Sequence, residues 1–363
     1  MTRGGLILGM VSLGTVGVAL VAAGTVCLTS GCSTIGYYAQ SVGGHMSLVR
    51  AARPVPEWLA DPQTPATLKA RLELSQRIRD FAVGELKQPD NASYRRYADL
   101  KRSAAVWNVV AAPELSLKLS SWCFPVVGCV GYRGYYEQAE ATAFAEGLKP
   151  LGLEVNVYGV PAYSTLGLLP GDVFADPLLN TFINFPEGEL ARLVFHELAH
   201  QIAFAKGDTV FNESFATAVE RLGGERWLRD HASPQARDEY ARYDARRRDF
   251  RELTARYRNR FDALYTSPAS DADKRAGKAA LLTELRADHA AMKRERWGGY
   301  TGYDGWFARA NNASFGVLAA YNDLVPDFER LFEREGRDFT RFYDEVKRLA
   351  ALPPAERRKA LDS

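Results

Sequence analysis

Apolar residues recur at helical spacing through Leu68, Leu72, Ile78, Ala82 and Leu86, after Thr64-Pro65 and before Pro89-Asp90-Asn91. Threonine as N-cap, proline at the first helical position and a proline-led stop predict one helix over this stretch. Val106 to Pro113 and Leu115 to Leu119 are rich in β-branched and apolar residues and read as strands. A helix follows from about Glu137 to Leu148. Val155 to Val160 alternates like a strand, and Tyr163 to Gly167 extends it. Phe182 to Phe185 makes a short strand before Pro186. Leu190, Leu193, Val194, Phe195, Leu198, Ile202 and Phe204 then cover most sides of a helix that begins near Glu187 and ends at Gly207-Asp208. A helix with so little polar surface is buried. The next helix carries Phe215, Ala216 and Val219 and stops before Gly223-Gly224.

The pattern changes after Ser233-Pro234. Ala236, Tyr240, Tyr243, Phe250, Leu253, Tyr257, Phe261 and Leu264 recur mostly every three or four residues in a charged background. Thr266-Ser267-Pro268 turns the chain, and Leu282, Leu285, His289 and Met292 return, which predicts an antiparallel helical hairpin up to Trp297. Arg246, Arg247, Arg248 and Arg251 form either a binding stripe or, as is commoner, a solvated face. Further helices are expected over 311–323 and 328–349. Tyr37 to Pro62 shows turns and little periodicity.

Composition adds one exclusion and one address. The 363 residues are 47% hydrophobic and 25% charged, with a net charge of +2, which gives no electrostatic footprint for nucleic acid. After Arg3, an apolar run from Leu6 to Leu28 leads into Thr29-Ser30-Gly31-Cys32-Ser33. A basic start, an apolar stretch and small residues before a cysteine form an export signal of bacterial lipoprotein type, with Cys32 as the lipidated residue. The competing reading is an uncleaved transmembrane anchor. Both put the remaining chain outside the cytoplasm; Ser33 after the cysteine resembles sorting to the outer membrane. In an oxidising compartment, Cys123 and Cys129 are expected to close a small loop as a disulfide, the alternative being two buried thiols.

The polar residues inside the apolar helix carry the chemistry. His196, Glu197 and His200 stand as H-E-x-x-H, two of only five histidines in the chain. Positions i and i+4 share a helix face, so both imidazoles can bind one metal ion while Glu197 reaches the reacting water. Lys206 stands where a third histidine would complete a longer motif of this kind, so a carboxylate is expected as third ligand. Glu213 and Glu220, seven residues apart on the next helix, are the two candidates.

HELAHQ at 196–201 followed by FNESFATAVE at 211–220 resembles the gluzincin metallopeptidases, above all their alanyl-aminopeptidase-like branch. The resemblance implies that Glu213, after Asn212, binds zinc. Two departures are a shorter segment between the motifs and Ser214 in place of glycine. GCSTIGYYAQS at 31–41, SYRRYADL at 93–100, VVAAPELSL at 109–117, WCFPVVGCVGYRGYY at 122–136, AYSTLG at 162–167 and NNASFG at 311–316 are similar to a bacterial family of lipoprotein zinc aminopeptidases. Tyr163, Ser164, Thr165 and Gly167 hold the place of that branch's substrate-binding strand, without its amine-binding glutamate.

The expectation is therefore an α+β, predominantly helical chain with a gluzincin or thermolysin-like catalytic domain and one Zn²⁺. Residues 1–31 would be the signal, 32–62 membrane-proximal, 63–228 the αβ part with the site, and 229–363 a helical part of the same unit. Glu197 would act as base, with Tyr303 or Tyr321 stabilising the oxyanion. The partners would be a peptide substrate and, through the lipid, a membrane. The rival readings are an endopeptidase, a cell-wall amidase, or a catalytically idle envelope-binding protein.

Overall fold

A computed structural model describes residues 32–124, 128–162, 175–318 and 324–362. The chain divides into two compact units at Leu48/Val49. Helix α1 (Cys32–Ala51) makes up the described part of the first unit and runs a few residues into the second. This corrects the expectation of turns from Tyr37. No proline interrupts 32–52, and scattered glycines lower helix propensity by only about 1 kcal/mol each. Among the described residues no helix is long and apolar enough to cross a membrane. The apolar leader before Cys32 lies outside the described residues.

The second unit is mostly helical, with small sheets, an α+β arrangement. After β1 (Arg53–Pro54) and α2 (Val55–Ala60) comes α3 (Ala66–Gly84), the first helix legible in the sequence. The strand β2 (Arg96–Ala98) joins β1 antiparallel and β8 (Leu178–Leu179) parallel. A second sheet has β3 (Val106–Pro113) between β6 (Arg133–Tyr135) and β7 (Leu153–Val160), all antiparallel, with Val109 opposite Val157. Helix α4 (Gln138–Leu148) packs against all three strands. On β3, Val110 and Ala112 pack on Ala313 of α10 (Asn312–Leu318), while the alternate residues Val109 and Ala111 are buried as well, so the strand is covered on both faces. The hairpin β4 (Trp122–Phe124) and β5 (Gly128–Val130) is closed by the Cys123–Cys129 disulfide, Cα atoms 3.8 Å apart.

Two expected strands are absent. Leu115 to Leu119 is irregular: Leu117 packs on the helical core and Leu119 beside β3, so these two are partly buried by side chains, not by a ladder. Phe182 to Phe185 is a run of turns, with Phe182 N bonded to Leu179 O at 3.2 Å and Phe185 N to Phe182 O at 2.9 Å. The Ile183 and Phe185 carbonyls that it leaves free accept from Arg71 of α3.

The helical remainder consists of α5 (Glu187–Ala199), α6 (Thr209–Asp230), α7 (Pro234–Thr266), α8 (Asp271–Glu295), α9 (Asp304–Arg309), α11 (Val325–Arg334), α12 (Phe339–Ala350) and α13 (Pro354–Asp362). Helices α7 and α8 are the expected hairpin, capped by Ser233 and Ser270, whose hydroxyls accept from Ala236 N and Asp273 N. Phe250, Leu253, Tyr257 and Phe261 meet Leu281 and Leu285 between them. The single helix expected over 328–349 is two, because Gly336 turns the chain at φ +71°. Helix α5 stops at Ala199, five residues before Phe204, as Gln201 N and Ile202 N bond three residues back to Leu198 O and Ala199 O.

Helix α6 runs straight through Gly223-Gly224, where a stop was expected. A Cβ on Gly223 would lie 2.5 Å from Leu86 and 3.0 Å from Phe195, and one on Gly224 2.6 Å from Arg192. The glycines are there to let α5 and the end of α3 approach, not to break the helix. In an open helix Gly→Ala stabilises by up to about 1 kcal/mol. Gly223→Ala is expected to reverse that sign and destabilise by about 1–3 kcal/mol through overpacking, as read from denaturant unfolding; a gain in stability would show that the contact is slack.

Candidate metal centre

Helix α5 starts after Pro186 with Glu187 and Glu189 in its first turn, where carboxylates meet the positive end of the helix dipole. It buries Leu190, Ala191, Val194, Phe195, Leu198 and Ala199, which leaves His196 and Glu197 partly exposed and His200 buried at the C-cap. The link to α6 is pinned by Asn212, whose side chain bonds both Ala205 N (2.8 Å) and Ala205 O (2.9 Å). Asp208 caps α6 by accepting from Phe211 N and is itself held by Arg357 and Arg358. These bonds place Glu213, one residue after Asn212, over the two histidines.

His196 Nε2 lies 3.2 Å from His200 Nε2 and 3.4 Å from Glu213 Oε2, and His200 Nε2 lies 3.8 Å from the same oxygen. A metal bound tetrahedrally at about 2.0–2.2 Å separates its ligand atoms by about 3.3–3.5 Å. The trio fits such an ion, and His196, His200 and Glu213 form a site able to hold one metal per chain. Burial, with His196 next to it, pushes His200 down to about 4, so the imidazole is neutral, the form that ligates.

Glu220 does not compete for the ion. Its Oε2 faces the opposite side of the ring, 2.9 Å from His196 Nδ1, and its Oε1 accepts from Arg192. This is the carboxylate–histidine arrangement that fixes a ligand's ring and makes it a better donor. Arg192 is 3% exposed and also donates to Tyr240 Oη at 2.6 Å. Burial works to raise the Glu220 carboxyl, but Arg192 and His196 hold it at about 2. Burial works likewise against a charged His196, yet the hydrogen bonds to Glu213 and Glu220 raise its pKa well above the ordinary value.

Glu197 makes no hydrogen bond among the described residues. Burial, opposed by His196 and assisted by Glu213 and Asp176, brings it to about 7. With Phe185, Glu189, Arg192, Leu193, His196, Glu220 and Arg247 it lines a cavity of about 220 Å³. Arg247, from the arginine-rich face of α7, turns inward to Glu189 and Asp244, while Arg248 is solvated. Tyr303 stacks on Phe250 at 4.4 Å within the helical core and shares no hydrogen bond with the trio. Tyr163, Ser164, Thr165, Gly167 and Tyr321 lie outside the described residues. The supporting role of Arg192 was missed in the sequence, although a charged residue one turn before His196 on an apolar helix was the signal for it.

Glu213→Ala should abolish tight divalent-metal binding, and Glu220→Gln should weaken it about 10–100-fold while keeping all three ligands. Competition with a chromophoric chelator measures both; equal losses would give Glu220 a ligand's role.

Residues 36–361 match the family model described as "Putative aminopeptidase". No curated protein and no solved structure matches the chain.

Proposed function

Since the chain belongs to this aminopeptidase family, we propose that it is a zinc-dependent metallopeptidase of gluzincin-like design, removing residues from the amino ends of peptides in the bacterial envelope. The observation that carries the reading is the convergence of His196, His200 and Glu213 beside Glu197, which makes no hydrogen bond among the described residues. Two histidines and one glutamate are the donor set of catalytic zinc in peptidases, as against the closed sulfur-rich sets of structural zinc. That choice also speaks against an idle binding protein.

Zinc held by His196, His200 and Glu213 would supply Lewis acidity for a scissile carbonyl and its attacking water. The chain's own residues do the rest. Glu197 accepts the proton of the attacking water and delivers it to the leaving amine. Glu220, anchored by Arg192, keeps the His196 ring in one orientation through the reaction. Apolar packing of α5 on α3 and α6 holds the ligands in place.

The envelope location rests on the leader and Cys32. A lipid on Cys32 would tether the chain on the periplasmic side, and the Cys123–Cys129 disulfide suits an oxidising compartment. Cys32→Ala is expected to abolish lipid labelling of the protein; a labelled variant would mean that the lipid sits elsewhere.

The activity test compares wild type with Glu197→Gln on amino-free and amino-blocked peptides, with and without chelator. Hydrolysis of amino-free peptides is expected, lost with chelator and lowered about 10²–10⁴-fold in the variant at unchanged metal content. Equal cleavage of blocked peptides would make the enzyme an endopeptidase. If metal-loaded wild type cleaves no peptide, the peptidase reading is wrong.

A further inference from the structure

The helix that carries Glu213 is gripped from the side away from the metal. Phe211 and Phe215, one turn apart on α6, pack on Phe328 of α11 with ring centroids 5.0 and 5.7 Å away, and Phe215 also meets Phe342 of α12 at 5.8 Å. Glu213, two residues from each, projects from the opposite face of the same turns. The start of α6 therefore stands between the two histidines and the C-terminal helices. Whatever fixes its position also fixes the Glu213 carboxylate.

Arg357 of α13 does this at the first turn. The residue is 4% exposed, and it donates from Nε to Leu349 O (3.2 Å) and from Nη2 to Ala350 O (3.1 Å) and Leu352 O (2.8 Å), carbonyls at the end of α12. Its Nη1 reaches across to Asp208 Oδ2 at 2.7 Å, and the guanidinium lies over the Phe211 ring, 5.1 Å from the centroid. Arg358 donates to Asp208 Oδ1 at 3.0 Å. Asp208 is the N-cap of α6, the helix of Glu213.

Capping alone does not call for these arginines. Single serine hydroxyls cap the longer helices α7 and α8, and Asp208 needs only Oδ1 to accept from Phe211 N. Burying a guanidinium is costly unless its donors meet acceptors, and an apolar side chain would fill the volume without that cost. What arginine adds is a planar fork whose donors reach two elements at once. Here the fork joins the end of α12 to the start of the ligand-bearing helix.

We propose that Arg357 is a positioning residue for the metal ligand Glu213: through Asp208, the C-terminal helix α13 sets where α6 begins and so raises the affinity of the site for its ion. This rests on the metal reading of His196, His200 and Glu213, and not on peptidase activity. Such coupling is reciprocal, so a bound ion tightens the hold on α13 in turn.

Asp208→Asn keeps an oxygen for the Phe211 N–H but removes the carboxylate that the arginines hold, and Arg357→Met removes the guanidinium at similar bulk. Both, with the double variant, are compared with wild type in the full chain by Zn²⁺ competition against a chromophoric chelator, beside denaturant unfolding of the metal-free forms. Each single variant is expected to weaken Zn²⁺ binding about tenfold. The double variant should be no weaker, since both changes break one link. Zn²⁺ is also expected to slow hydrogen exchange of the α13 amides in wild type and not in Asp208→Asn. If Arg357→Met does not fold, Asp208→Asn decides alone. A purely structural clasp would lower the unfolding midpoint and leave Zn²⁺ affinity and α13 exchange as in wild type; that result overturns the proposal. A wild type that binds no Zn²⁺ sinks the metal reading itself, and this role with it.

Discussion

Glu220 accepts at one oxygen from a buried guanidinium and at the other from the ring of His196. The centre of the molecule depends on this shared carboxylate. Helix α5 is apolar because it must be buried, yet it carries two imidazoles and a general base. A buried arginine or carboxylate alone would be strongly destabilising, and breaking such a pair typically costs about 3–5 kcal/mol. Together, Arg192 and Glu220 offset each other's charge and leave one acceptor to orient a metal ligand. The same contact ties α5 to α6, so metal geometry and helix packing are one constraint.

That constraint explains features that otherwise look unrelated. Glycine at 223 and 224 lets α6 pass close enough for Glu220 to reach Arg192 and His196, because side chains there would strike Leu86, Phe195 and Arg192. Asn212 sets the start of α6 by bonding the connecting loop, which puts Glu213 over the histidines from the metal side. One helix thus presents a ligand at one end and an orienting carboxylate two turns later. Tyr240 and Arg247 of the helical hairpin extend the network outward, so the C-terminal helices support the site as well as cover it.

The regular elements were legible where the determinants are local. Helix α3, strands β3 and β7, helix α4 and the α7–α8 hairpin follow from alternation, three- or four-residue spacing and, for the hairpin, serine caps; the Thr64 cap expected for α3 is not made, Pro65 itself standing as N-cap to a helix that starts at Ala66. The misses share one cause. Leu115 to Leu119 and Phe182 to Phe185 are apolar enough for strands, but what they pack on is far away in the chain, and apolar composition alone does not say whether a partner strand will be there. Helix α6 was cut short in the reading because glycine signals a stop in isolation, whereas here it marks close approach between helices.

The site divides in the same way. His196, Glu197 and His200 are set by the sequence itself, since a four-residue interval on a helix puts both rings on one face whatever surrounds them. The sequence alone left Glu213 and Glu220 as equals in chemistry. The resemblance points to Glu213, and the tertiary structure gives each its place, because the two sides of one imidazole are told apart by distances between helices, not by spacing along one. Tyr94 belongs wholly to the second class. Its left-handed backbone, φ +63°, is held by Asp176 O on its N–H and by Gln76 Nε2 on its carbonyl, contacts that no local pattern records.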